Sequence, residues 1–218
     1  MEVAVRGIAV VIVISLLCTG GAFGATGGFG IGVGVAMPRG QFNRYAGDSF
    51  TIIGSGTLNI ESMPSLGLGL GLQGIFLENE EYDVNLGGWD FTEEYSTNLL
   101  KFTVGAEFTP VHSSLQPYAG AGLALYYFSQ DVTLKNWLGE DVDSKELSSE
   151  LDLGLNLNGG LRFYFTPRVA MDLCLSYDKI SGMESLKTKG HYDDPSLESM
   201  SLDSEFISVV GGVHFRLP

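Results

Sequence analysis

LDLGLNLNGGLRFYF, residues 151–165, sets Leu151, Leu153, Leu155, Leu157, Leu161, Phe163 and Phe165 on one parity. Asp152, Gly154, Asn156, Asn158, Gly160, Arg162 and Tyr164 take the other. A period of two marks a β-strand with one apolar and one polar face. The run is too long for a globular strand, usually about five or six residues. It suits a tilted strand crossing a bilayer, which takes roughly 9–11 residues plus overhang.

The rest of the chain has room for more of the same. Its 218 residues suffice for one closed eight-stranded barrel and fall short of a large porin. The 30 glycines are about twice the usual share. They sit mainly inside alternating runs, which argues against low-complexity disorder. A net charge of −14 speaks against a nucleic-acid partner, which needs a basic footprint. At the start, Arg6, the apolar run 8–17 and Ala22-Phe23-Gly24 predict a signal peptide over 1–24, cleaved before Ala25. The barrel domain is then 25–218. Leu17 precedes Cys18 where a lipid-anchor signal needs a small residue, so no lipidation is expected. Cleavage leaves Cys174 as the one cysteine, and no intramolecular disulfide can form.

Seven further alternating runs are predicted: 28–37, 51–61, 66–77, 96–108, 117–129, 169–181 and 204–217. In the first, Phe29, Ile31, Val33 and Val35 alternate with glycines. In the third, Leu66, Leu68, Leu70 and Leu72 alternate with Gly67, Gly69, Gly71 and Gln73. Short turns are expected at Met63-Pro64-Ser65, over 109–116 and at Thr166-Pro167-Arg168. Long loops are expected over 38–50, 78–95, 130–149 and 182–203. This alternation of long and short connections is that of an outer-membrane barrel, with extracellular loops and periplasmic turns and termini. Closure matters because lipid cannot satisfy an open strand edge. The four long loops hold 18 acidic and 6 basic residues, so most of the negative charge gathers on one rim. Solvation explains that rim most simply, and attraction of divalent cations is the sharper reading. Asp141-Val142-Asp143 lacks the glycine and further ligands of a calcium loop, so no metal site is assigned.

The last strand carries Gly212, Phe215 and Leu217 in the spacing Gly-x-x-apolar-x-apolar. From residue 27 to 218 the chain resembles the small outer-membrane β-barrel proteins of the OmpA-barrel, OmpX and OmpW kind. In those proteins this terminal pattern is read by the barrel-assembly machinery. Here Leu217 stands where an aromatic is usual, and Pro218 follows it. The resemblance implies export across the inner membrane and a monomer in contact with outer-membrane lipids, with no cofactor. Its OmpW side implies a narrow conduit for small or apolar solutes.

If the apolar parity faces lipid, the polar parity faces the lumen. The topology then gathers Glu61, Glu107, Arg162, Asp172, His214 and Arg216 near the periplasmic end. Arg162 and Asp172 are equidistant from Pro167, which predicts a cross-strand pair. An eight-stranded interior is just wide enough to be filled by side chains. Charges inside it must pair, because an uncompensated buried charge is costly. They form either a structural plug or a gate whose re-pairing opens a path. The inner glycines leave either a small pocket or room for Tyr118, Tyr126, Tyr164 and Phe206. Phe76, Tyr127 and Tyr177 suit an upper aromatic girdle, and Phe108, Phe163, Phe165 and Phe215 a lower one.

Other motifs carry little. The glycines of 69–74 match a dinucleotide fingerprint by letters but lie in a strand with no helix after them. His112-Ser113-Ser114 and His191 beside Asp193 and Asp194 keep a lipid-A-modifying enzyme under consideration, since some small outer-membrane barrels are such enzymes. No familiar catalytic motif surrounds them, so no catalytic residue is assigned. Cys174 reads as an inert small lumenal residue. The leading expectation is a non-enzymatic all-β, eight-stranded antiparallel up-and-down transmembrane barrel with a mostly filled lumen, acting through its acidic loops. A narrow channel is the first alternative. An exported, soluble lipocalin-like barrel with its apolar parity inward is the second.

Overall fold

The computed structural model describes residues 27–40, 49–60, 62–77, 80–86, 89–110, 113–187 and 199–217. The expected signal peptide and its cleavage point, Glu61, His112, His191 and Pro218 lie outside these. The strands are β1 (Gly27–Gly40), β2 (Ser49–Ile60), β3 (Met63–Phe76), β4 (Glu80–Leu86), β5 (Trp89–Phe108), β6 (Leu115–Asn136), β7 (Asp141–Tyr164), β8 (Val169–Lys187) and β9 (Ser199–Arg216). Each pairs antiparallel with its neighbours. β1 joins both β2 and β9, and β3 joins β5. Eight strands therefore close into a barrel, while β4 continues the line of β3 and pairs with β5.

The parity expected from the sequence is the one observed. Ile31, Leu123, Leu157 and Leu173 point outward and are exposed, while Tyr126, Arg162, Asp178 and His214 point inward and are buried. An exposed apolar belt around a closed ladder is what a hydrocarbon solvent requires. It excludes the inverted, soluble barrel. Leu157 lies near the middle of the belt and is 53% exposed. Leu157→Arg is expected to cost about 2–4 kcal/mol by placing a charge at mid-bilayer depth. Urea unfolding from lipid vesicles measures this, and an unchanged midpoint would mean that the belt does not face lipid.

Two expected loops are ribbons. Tyr82, Val84 and Leu86 of β4 alternate with Glu81, Asp83 and Asn85, and β4 pairs with β5 from Glu80↔Tyr95 to Leu86↔Trp89. Side chains bind across this ladder: Asn85 Nδ2 donates to Asp90 at 2.8 Å and Thr92 Oγ1 to Asp83 at 3.2 Å. β6 and β7 run on to a turn at Trp137-Leu138-Gly139-Glu140. Asn136 builds that turn. Its Oδ1 accepts from the amides of Leu138 (2.9 Å) and Glu140 (3.0 Å), and Gly139 takes the positive φ of 78°. Lys135 pairs with Glu94 across β5–β6, and this hydrogen bond raises the Lys135 pKa above its usual value. Above the apolar belt no lipid demands an apolar outer face, so the alternation is carried by a few residues among many acidic ones and reads as a polar loop. The β2–β3 turn also shifts. Ile60 pairs with Met63, so Met63-Pro64-Ser65 opens β3 and the chain reverses just before it. At the other end Thr166 Oγ1 accepts from the amides of Arg168 and Val169, closing the expected Pro167 turn.

Candidate functional site: the lumen

Three layers fill the barrel interior. Nearest the long-hairpin end, Ile75, Leu99, Phe128, Ile180 and Phe206 form an apolar layer. These residues have the inward parity, yet they are apolar because here they meet each other and not water.

Beneath it lies an ion pair that the sequence reading did not single out. Lys101 Nζ on β5 lies 2.9 Å from the Asp178 carboxylate on β8, across the lumen. Asp178 is 0% exposed and also accepts from Tyr126 Oη at 2.7 Å and Asn156 Nδ2 at 2.8 Å. Lys101 donates in addition to Gln73 Oε1 at 2.9 Å, whose amide donates on to Thr51 Oγ1 at 2.8 Å. Both charges are thus paired and hydrogen-bonded, as burial requires. Parity revealed that Lys101 and Asp178 face inward, but not that they share a height. That depends on the stagger accumulated around the barrel.

The third layer joins three of the expected residues. Arg162 donates to Glu107 in a two-pronged pair, Nη1 to Oε1 at 2.6 Å and Nη2 to Oε2 at 2.7 Å. Its Nε reaches Asp172 at 3.4 Å, and Arg162 and Asp172 are register partners. Tyr118 Oη donates to the other Asp172 oxygen at 3.0 Å, and its ring lies under the guanidinium, 4.0 Å from centroid to Cζ. The planar fork of arginine suits this site, since it satisfies two carboxylates and stacks on an aromatic face at once.

The remaining expected residues lie closer to the turn end. His214 packs edge-on to Tyr164, with ring centroids 6.4 Å apart. Arg216 stacks on Tyr164 at 4.2 Å and donates to Gln116 at 3.2 Å. Together with Glu107 and Arg162 they border a vestibule of about 450 Å³ at the turn end. On the other side of Glu107 and Arg162 lies a smaller cavity of about 100 Å³, bordered by Gly69, Gly71, Thr103, Asn158 and Cys174. The Arg162–Glu107 pair is the partition between the two. The cavity has room for a few waters.

The glycines of β3 leave the pocket expected of them, whereas those of β1 make room for His214 and Val210 rather than for Tyr118, Tyr126, Tyr164 or Phe206. In β1 they make room: a Cβ at Gly28 would lie 2.3 Å from His214 Nε2, and one at Gly32 2.7 Å from Val210. In β3, side chains at Gly69 and Gly71 would meet nothing closer than 3.6 Å, and these two leave the cavity open. Tyr118, Tyr126 and Phe206 are buried in the lumen as expected. Among the aromatics outside, Phe50 stacks on Phe76 at 6.4 Å and Phe29 on Phe215 at 4.9 Å. No group of three or more His, Cys, Asp or Glu among the described residues is placed to hold a metal ion.

A closed ladder with an apolar exterior and a polar, ion-paired interior defines a transmembrane β-barrel. The family model for the outer membrane protein beta-barrel domain matches residues 9–215, and the chain belongs to that family, in the outer membrane. A search of curated proteins found no match. Among solved structures, Neisserial surface protein A (NspA) is similar over 89% of this chain and 99% of its own, at 16% identity and a TM-score of 0.56. A major outer membrane protein from Thermus thermophilus is similar over 89% and 100%, at 14% identity and 0.57. Ail, the attachment invasion locus protein of Yersinia pestis, crystallised with the heparin analogue sucrose octasulfate, is similar over 88% and 99%, at 11% identity and 0.50. At these identities the likeness is one of fold.

Proposed function

We propose that this chain is a non-enzymatic outer-membrane barrel, closed to solutes, that works through its long-hairpin surface. The observation that carries the reading is the stack of two satisfied ion-pair layers beneath an apolar layer, which supports a plug rather than a pore. On this reading 1–24 is a signal peptide, Gly212, Phe215 and Leu217 serve the assembly machinery, and the mature barrel is a monomer. The long hairpins face outward from the cell, as in outer-membrane barrels generally. Their acidic rim draws cations, divalent ones included, to the surface. It disfavours polyanions of the kind seen with Ail. Planar-bilayer recording tests the plug: the refolded wild-type barrel is expected to give no channel steps, and stable steps would overturn the reading.

A narrow conduit is the second reading, favoured by the cavity beside Gly69 and Gly71 and by the vestibule below it. There the Arg162–Glu107 partition would be a gate. Channel steps that change in size in Glu107→Gln would move the assignment to this reading.

A further inference from the structure

Of the two guanidiniums that border the vestibule, one is neutralised and the other is not. Arg162 is bonded to both Glu107 and Asp172. Arg216 donates to Gln116 and lies on the Tyr164 ring, and among the described residues no carboxylate stands within ion-pair distance of it. Gln116 is buried, so Arg216 is held at one edge and across one face while the rest of its fork stays free. Glu107 is spent on Arg162 in a two-pronged bond and does not compete for that fork. A cation left unpaired in a partly enclosed site is costly, and an anion relieves the cost.

His214 gives a second, independent sign. It is two residues from Arg216 on β9, so the two side chains share the lumenal face. The residue is 4% exposed and borders the same vestibule, and its Nδ1 is a buried polar atom with no hydrogen-bond partner. Buried polar atoms are nearly always paired, so such an orphan marks a place where something else binds. The vestibule, about 450 Å³, has room for a small organic anion. Gly27 and Leu217 border it at the rim of the barrel, which puts its mouth at the turn end.

We propose that this vestibule is a dead-end binding site for a small oxyanion, a carboxylate or a phosphate, held by the Arg216 fork beside His214. The planar fork meets either group with two parallel bonds. Stacking on Tyr164 and the bond to Gln116 fix the fork before the ligand arrives, so less order is lost on binding. The Arg162–Glu107 partition is the floor of the site, and the bound anion goes no further. The site faces the opposite end from the long hairpins and is independent of the surface-acting reading.

His214 itself reports occupancy. The chain has three histidines, and His112→Gln/His191→Gln leaves the His214 imidazole as the sole one. The refolded mature variant, isotope-labelled at histidine, is held in maltoside micelles at constant pH and ionic strength, with chloride as the balancing anion. It is titrated with inorganic phosphate and, separately, with acetate. A saturable shift of the imidazole resonances is expected in the millimolar range. Adding Arg216→Gln should weaken binding by about tenfold or more. Arg216→Lys keeps the charge without the fork and should weaken it by about threefold or more. The gel shift between boiled and unboiled samples verifies that each variant is folded. Repeating the phosphate titration in phosphatidylglycerol nanodiscs separates two sources of the same chemistry. Resonances already at their saturated position assign the site to a lipid headgroup, and a shift on titration assigns it to a dissolved anion. A shift that never saturates, or one of equal affinity in Arg216→Gln, would overturn the proposal. Such a failure leaves the plugged-barrel reading in place, because that reading rests on the layers above the vestibule.

Discussion

Asp178→Asn is expected to lower the stability of the barrel by about 3–5 kcal/mol, the usual cost of stranding one partner of a buried ion pair. Asp178 has no exposed surface, and its carboxylate is the counter-charge to Lys101. The amide can still accept from Tyr126, but it leaves the Lys101 ammonium in the lumen without an anion. Replacing both partners together, as Lys101→Met/Asp178→Leu, removes the charge and its penalty, so much of the loss should return. Urea unfolding from vesicles, read by the fraction that keeps its unboiled gel mobility, gives both numbers. A loss under about 1 kcal/mol for the single variant would mean that water already screens this layer.

The second large effect concerns Cys174. It borders the cavity between the two ion-pair layers, and it is a free thiol. In the recombinant mature chain 25–218 it is the one cysteine. The Arg162–Glu107 partition lies between this cavity and the vestibule, and Cys174 is only partly exposed, so the wild-type thiol should react slowly with a maleimide in the folded barrel. Removing Arg162 and Glu107 together, as Arg162→Ala/Glu107→Ala, deletes the partition and leaves the net charge unchanged, with Asp172 still accepting from the Tyr118 hydroxyl. The cavity then opens into the 450 Å³ vestibule. Labelling of Cys174 should accelerate on the order of a hundredfold, since access limits the reaction of a half-buried thiol. Equal rates in the two proteins would show that the partition does not close the cavity. The gel shift between boiled and unboiled samples confirms that the variant is folded.

The fold was legible wherever lipid imposes a rule. In 151–165 the bilayer demands one apolar face, and the alternation of Leu151 to Phe165 records that demand directly. The same constraint made the inward parity of Arg162, Asp172 and His214 readable. Counting back from Pro167 was enough to pair Arg162 with Asp172, because a tight hairpin fixes its own register. What escaped depended on distances across the barrel. Lys101 and Asp178 lie on strands that are not neighbours, and no local pattern reveals which heights coincide. Nor does a pattern announce Ile75, Leu99 or Phe206, apolar residues on the polar parity, until the layer they share is built. The ribbons of β4 to β7 were missed for a different reason: above the belt the outer face meets water and turns polar, so the alternation still carried by Tyr82, Val84 and Leu86, or by the buried Val132 and Leu134, stands among acidic residues.

The barrel closes where its two ends meet. The Leu217 amide donates to the Gly27 carbonyl at 2.8 Å, and β9 lies against β1 from Gly28↔Arg216 to Gly40↔Ser204. The backbones come so near that a Cβ at Gly212 would sit 2.3 Å from the Ile31 oxygen. Every other ladder joins strands close in sequence, so each can form as a hairpin grows. This one must bring together residues from opposite ends of the molecule, at an entropic cost on the order of 5 kcal/mol by loop closure. The wall is therefore uneven as a matter of kinetics: eight seams, of which seven are local and one is the lock. Chain order makes β1–β9 the seam with the highest entropic cost of formation. The stacked rings of Phe29 and Phe215, facing lipid across it, are its latch.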